Sequence, residues 1–190
     1  MKESLLEKTV KLFSGIKANY LADVERRNRD LGKVDFGILR VAMMIAALDG
    51  KILPQEFAAF RKLSKNCKVS VVEGGALWDA ALHSAGYILV QSGILTARQL
   101  ALAFVREAKL ALPDTFVKTS SNNIRRAFVM WISMGMSDGD FSGVERKCVE
   151  ELIAMLPAKV RANANPLFMA EAEKLLKAED MSGLKTLIEN

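Results

Sequence analysis

The sequence predicts an all-α protein, and three observations predict it. Apolar residues recur at helical spacing through most of the chain, and no segment shows the strict alternation of a half-buried strand. Nine methionines accompany abundant Ala and Leu, while only four prolines and twelve glycines interrupt the 190 residues. The breaks between periodic runs fall at residues that begin or end helices, among them Thr96, Asn165-Pro166 and two Asp-Gly pairs. The chain is 51% hydrophobic and 26% charged, enough apolar material for a core and too little charge for a disordered polymer. Its length fits a single helical domain over 1–190.

The elements follow in order. Leu5, Leu6, Val10, Phe13, Ile16, Tyr20, Leu21 and Val24 predict an N-terminal helix within 2–33, with Gly15 as a break. Arg26, Arg27, Arg29 and Lys33 give it a basic end, favourable beside the helix dipole's negative pole, and Gly32 closes it. A second helix is predicted over 34–48, with Ile38, Val41, Ala42, Ile45 and Leu48 as its apolar face. Pro54 suits the first turn of the third, which carries Phe57, Phe60, Leu63 and Ser64 inward and Arg61, Lys62, Lys65 and Lys68 outward. Ser70 is a candidate cap for a long segment to about Val90, apolar almost all round and therefore expected at the centre. His83, the single histidine, is expected there as a core or half-buried imidazole rather than a catalytic base. Thr96 caps a helix stopped by Pro113. Residues 114–123 read as a loop, with Thr119, Ser120, Ser121 and Asn122 as candidate caps. A helix over 124–137 then offers Ile124, Ala127, Phe128, Trp131 and Met134 as its buried stripe. Asn165-Pro166 begins a later helix and Ser182 a last short one, forming a C-terminal extension over 163–190.

Two acidic turns organise this series. The first contains Asp49-Gly50, Ile52 and Glu56; the second contains Asp138-Gly139, Phe141 and Glu145. The copies lie 89 residues apart (49 to 138, 56 to 145), and the offset extends into both flanking helices. Ile38 matches Ala127, Ala42 matches Trp131, Ile45 matches Met134, and beyond the turn Phe60 and Leu63 match Val149 and Leu152. Capping explains much of this. Ser142-Gly143-Val144-Glu145 is a capping box, Glu56 occupies the same slot behind Leu53, and Asp before Gly can bond its own backbone. Placement points toward a cation. Asp49 and Asp138 follow helix C-termini, where an acid is disfavoured by ~0.3–1 kcal/mol and invites compensation. Asp138, Asp140 and Ser142 match the first half of an EF-hand loop, but its twelfth position is Val149, and Lys51 replaces the second acid in the first copy. The candidate metal ligands are therefore Asp49, Glu56, Asp138, Asp140 and Glu145, in a shared site whose hard oxygens suit Ca²⁺ or Mg²⁺.

Asp49, Gly50, Ile52 and Glu56, followed by Asp138, Gly139, Phe141 and Glu145, resemble the paired signature of the TerB-like family, which includes tellurite-resistance proteins and the N-terminal domains of DjlA-type co-chaperones. The resemblance spans about 35–155. It implies a compact bundle of about seven core helices, a noncatalytic role in stress response and tellurite resistance, and a divalent-cation site at the corners. The long gap between the copies and Lys51 depart from the family pattern.

Composition narrows the remaining classes. Cys67 and Cys148 stand alone, without zinc spacing or a disulfide framework, which fits a reducing cytoplasm. The acids near the start argue against a secretory signal. Residues 80–97 lack Asp, Glu, Lys and Arg, yet His83, Ser84, Gly86, Gln91, Ser92 and Gly93 favour a buried helix over a membrane span. A net charge of +5 is mild. It leaves nucleic-acid binding through Arg61, Lys62, Lys65 and Lys68 as the alternative function. An enzyme using Asp140 and Glu145 as paired carboxylates lacks any accompanying nucleophile motif or phosphate loop. A protein partner, or a second copy of the chain, is the expected ligand beside the cation.

Overall fold

The computed structural model describes residues 34–67, 71–139, 141 and 143–190. The predicted helix within 2–33, its basic end, the Ser70 cap, Lys68, Asp140 and Ser142 lie outside the described residues. Within them the chain is helical, with no strand. In order, the helices are α1 (Val34–Ala46), α2 (Pro54–Asn66), α3 (Val71–Ser92), α4 (Ala97–Ala111), α5 (Ser121–Gly135), α6 (Gly143–Met155), α7 (Ala158–Arg161), α8 (Pro166–Lys177) and α9 (Met181–Glu189). Two 3₁₀ turns, Phe116–Lys118 and Ala162–Ala164, interrupt the series.

The centre is α1, not α3 as the apolar run had suggested. Every residue from Phe36 to Leu48 is buried, and α2, α3, α4 and α5 all pack against it. Only Asp35 and Arg40 are charged in this helix, so neighbours can cover it on all sides. The Arg40 guanidinium is 3% exposed and donates to the Ser84 hydroxyl at 3.1 Å. Burying this charge requires such polar contacts. By contrast α3 has two faces. Ala80, Ala81, Ser84, Ala85 and Ile88 turn inward, whereas Asp79, Leu82, His83 and Val90 are exposed. His83 is thus a surface residue rather than a core one. No helix of the described residues is long and apolar enough to cross a membrane.

The caps predicted from sequence largely hold. Thr96 accepts from the amide of Gln99 at the start of α4, and α4 ends at Ala111 before Pro113. Ser120 is the cap of α5, accepting from Asn123 N–H, so that helix begins earlier than Ile124. Asn165 accepts from Phe168 N–H at 2.9 Å, with Pro166 in the first turn of α8. The last helix is capped by Asp180, which accepts from Gly183 N–H at 2.8 Å, rather than opened by Ser182. The expected loop over 114–123 holds a 3₁₀ turn because Phe116 is drawn fully into the core beside Trp131.

Helix α5 crosses α1 and supplies the second large part of the core. Ile124, Ala127, Phe128, Trp131 and Met134 are all at most 1% exposed. The Trp131 indole N–H donates to the carbonyl of Ile38 at 3.0 Å, giving a buried ring its polar partner. One turn on, a Cβ added at Gly135 would lie 3.4 Å from the Ile45 side chain. Residue numbers rise together along both helices, so α1 and α5 run in the same sense. Their C-terminal ends, and the corners that follow, therefore lie at one end of the bundle.

Candidate functional site

Each corner is built by the same backbone device. After α1 the chain tightens into i→i+3 bonds, with Leu48 N–H donating to Ile45 C=O and Gly50 N–H to Ala47 C=O. After α5, Ser137 N–H donates to Met134 C=O and Gly139 N–H to Met136 C=O. These bonds coincide at the 89-residue offset. Both helices consequently end before the aspartates, at Ala46 and Gly135 rather than at Leu48 and Ser137. Gly50 and Gly139 have φ of 92° and 116°, in the region that L side chains avoid. Asp49 and Asp138, the residues just before them, are exposed.

At the first corner the Asp49 carboxylate accepts from Lys51 N–H at 3.0 Å and lies 3.9 Å from its ammonium group. The Asx turn expected of Asp-Gly is therefore present. Glu56, 2% exposed, accepts from Leu53 N–H and closes the free end of α2. Burial pushes the Glu56 carboxyl up to about 6 from its ordinary 4.5. The Leu53 amide and Lys51 oppose that rise, while Asp49 and Asp138 reinforce it. The influence of Asp138 is the informative one. It brings an acid from the second corner into the electrostatic environment of the first.

At the second corner Phe141 is 4% exposed, and a Cβ on Gly135 would fall 2.6 Å from its ring. At the 89-residue offset the corresponding positions in the first copy are Ala46 and the smaller Ile52. Arg146 lies over the Phe141 ring at 4.9 Å and holds Glu173 of α8 through two bonds of 2.6 and 2.7 Å. Glu145 is 4% exposed in the first turn of α6. Cys148, one turn along, is pushed up to about 12 by burial, with Glu145 and Glu151 adding to it. Cys67 is likewise raised to about 11 by burial and Asp35, against the lowering effect of Arg126. Neither thiol is activated as a nucleophile.

Of the five predicted ligands, Asp49 and Asp138 lie on the two corners at one end of the bundle, and both add to the rise of the Glu56 carboxyl. Glu145 is buried on its own helix, and Asp140 lies outside the described residues. Among the described residues no group of three or more His, Cys, Asp or Glu is arranged to hold a metal ion. The Arg146–Glu173 pair was not foreseen from sequence: its members are 27 residues apart, on different helices, with no local pattern linking them. Arg61, Lys62 and Lys65 are exposed together on α2, as predicted. The chain matches no known family model, no characterised protein and no solved structure.

Proposed function

We propose that this chain is a noncatalytic, TerB-like binding module that takes up a divalent cation at the end of the bundle where its two acidic corners meet. The observation that carries this reading is the parallel course of α1 and α5, linked at Trp131–Ile38 and again at Gly135–Ile45, which sets both Asp-Gly corners at one end of the bundle. Three acids sharing one region create a negative potential that a cation relieves. The donors suit a hydrated hard ion more than a full protein cage. Mg²⁺ commonly keeps several waters and uses one or two carboxylates, and two exposed aspartates match that requirement. Asp49 and Asp138 would hold the ion, with Glu56 contributing charge from beneath. The role in stress response or tellurite resistance rests on the sequence resemblance.

Titration calorimetry with CaCl₂ and MgCl₂ tests the cation. Heat of binding and a raised melting temperature are expected for the wild-type chain, and both should vanish when Asp49→Asn and Asp138→Asn are combined. A cation at about 100 times its Kd stabilises the fold by roughly 2.7 kcal/mol. No heat and an unchanged melting temperature reject the cation site. A second reading has its own observation, the exposed row of Arg61, Lys62 and Lys65 on α2. Binding to mixed-sequence duplex DNA that weakens steeply with salt would favour it, and no binding at low salt would exclude it.

A further inference from the structure

The exposed cations of α2 are joined by one from another helix, 60 residues away in sequence. Arg61, Lys62 and Lys65 recur at helical spacing and form one exposed face of α2. At the C-terminal end of that helix, Arg126 of α5 donates to the Asn66 carbonyl at 3.3 Å and to Cys67 Sγ at 3.6 Å. Lys65 directly precedes Asn66 and Lys62 lies one turn before it, so the guanidinium is fixed at the end of the lysine face. Both partners of Arg126 are uncharged, and Arg61, Lys62 and Lys65 enter no ion pair among the described residues. Their charges are therefore not neutralised by a bound carboxylate. Asp35 is the acid whose charge reaches Cys67 here, one carboxylate beside four cations. The acidic corners lie too far off to cancel the cluster. Helix α2 starts at Pro54, just past the first corner, and its 13 residues carry the chain about 20 Å along its axis. The screening length at physiological salt is about 8 Å. The face also lacks an anchor for lipid or for an apolar peptide. The exposed large apolar residues of the described chain lie on or beside α3, α4, α6, α8 and α9, none of them on α2 or α5. Asn122, exposed one turn before Arg126, adds an amide instead.

We infer that Arg126 and the cations of α2 form one composite surface, built from α2 and α5, that binds the phosphate backbone of double-stranded DNA. Phosphate contacts supply the affinity of such binding and need cations rather than apolar anchors. Arg126 is already ordered by Asn66 and Cys67, so it loses little freedom on meeting a phosphate. Its planar fork carries further N–H groups for the phosphate oxygens. The inference rests on the reading of the α2 face as a nucleic-acid contact and does not require the cation site. It adds a residue from a second helix, which places the duplex across the C-terminal half of α2.

The test uses the full chain and a fluorescein-labelled mixed-sequence duplex of about 20 base pairs, read by anisotropy in a chelator from about 50 to about 200 mM NaCl. With four phosphate contacts the wild-type affinity should fall about 150-fold over that range. Arg126→Gln should reduce the fall to about 40-fold, and Lys62→Gln combined with Lys65→Gln to about 12-fold. Arg126→Lys keeps the charge and should retain the wild-type fall. Lys177→Gln, the same change of charge on α8, should leave both affinity and salt dependence unaltered. Should Arg126→Gln fail to fold by circular dichroism, Asn122→Asp carries the test. An acid in the first turn of α5 suits the helix dipole, yet it sets a negative charge one turn from Arg126 and should weaken binding about 5-fold. No binding at the lowest salt overturns both the inference and the reading on which it rests. Binding that keeps the wild-type fall in folded Arg126→Gln, or that Asn122→Asp leaves unweakened, overturns the inference alone. So does an equal effect of Lys177→Gln, a fall in Arg126→Lys like that of Arg126→Gln, or equally tight binding of polyglutamate.

Discussion

At the scale of single residues, Glu56 carries the most consequence. It accepts from Leu53 N–H as a cap would, yet its carboxyl is driven up to about 6 by burial and by Asp49 and Asp138. A carboxyl whose folded-state pKa exceeds its unfolded value binds its proton more readily in the folded chain. The cost of its charge is absent below 4.5, grows between 4.5 and about 6, and is complete above that window. The move corresponds to roughly 2 kcal/mol. Wild-type stability should therefore fall, relative to Glu56→Gln, as pH rises from 4.5 to 6, and urea unfolding across that range checks it. Glutamine keeps an oxygen for the Leu53 amide, so the comparison isolates the charge. Parallel pH profiles for the two proteins would refute the assignment. The sequence located Glu56 as a cap or a ligand, and the structure supports the cap directly through its bond to Leu53.

At the scale of elements, the corner repeats as a unit of backbone as well as of side chains. Two i→i+3 bonds, a left-handed glycine and a buried Glu recur at one offset. Within that shared frame the copies differ at the helix end: Gly135 lies against the Phe141 ring, and the corresponding positions in the first copy are Ala46 and Ile52. Gly135→Ala should destabilise the chain by about 1–3 kcal/mol, since its Cβ would press on a ring that is itself buried. Combining it with Phe141→Leu should recover part of that loss. Thermal melts of the two variants decide the matter, and additive losses would mean that the ring is not the obstacle. The offset of 89 was legible in the sequence because a helix, a turn and a cap each leave a local residue pattern. The compensation between Gly135 and Phe141 was not, because it depends on where the ring folds back.

At the scale of the whole molecule, burial is graded outward from α1. That helix is covered throughout from Phe36, whereas α9 buries only Leu184. Amide exchange should follow the same gradient. The amides of α1 should exchange only through global unfolding, while those of α9 exchange through local fraying. Hydrogen-exchange mass spectrometry measures this, and comparable protection of α1 and α9 would contradict the architecture. Choosing between α1 and α3 as the centre was the main error of sequence reasoning. Both runs are strongly apolar, but apolarity does not count neighbours. Leu82 and Val90 remain exposed on α3, while α1 is covered by α2 through α6 among the described residues.

The sequence alone determined the helical class, the helix starts at Thr96 and Asn165, and the two related Asp-Gly corners, and it narrowed the cap of α5 to four residues of which the structure selects Ser120. These are local features, written by residue periodicity, backbone conformation and hydrogen bonds that span a few positions. Tertiary structure decided which helix is central, that His83 faces outward, and that both acidic corners share one end of the bundle. It also joined Arg146 to Glu173 and brought Arg126 of α5 to the end of α2. Those relations depend on how whole helices cross. The parallel course of α1 and α5, tied by Trp131 to Ile38, sets both corners at one end.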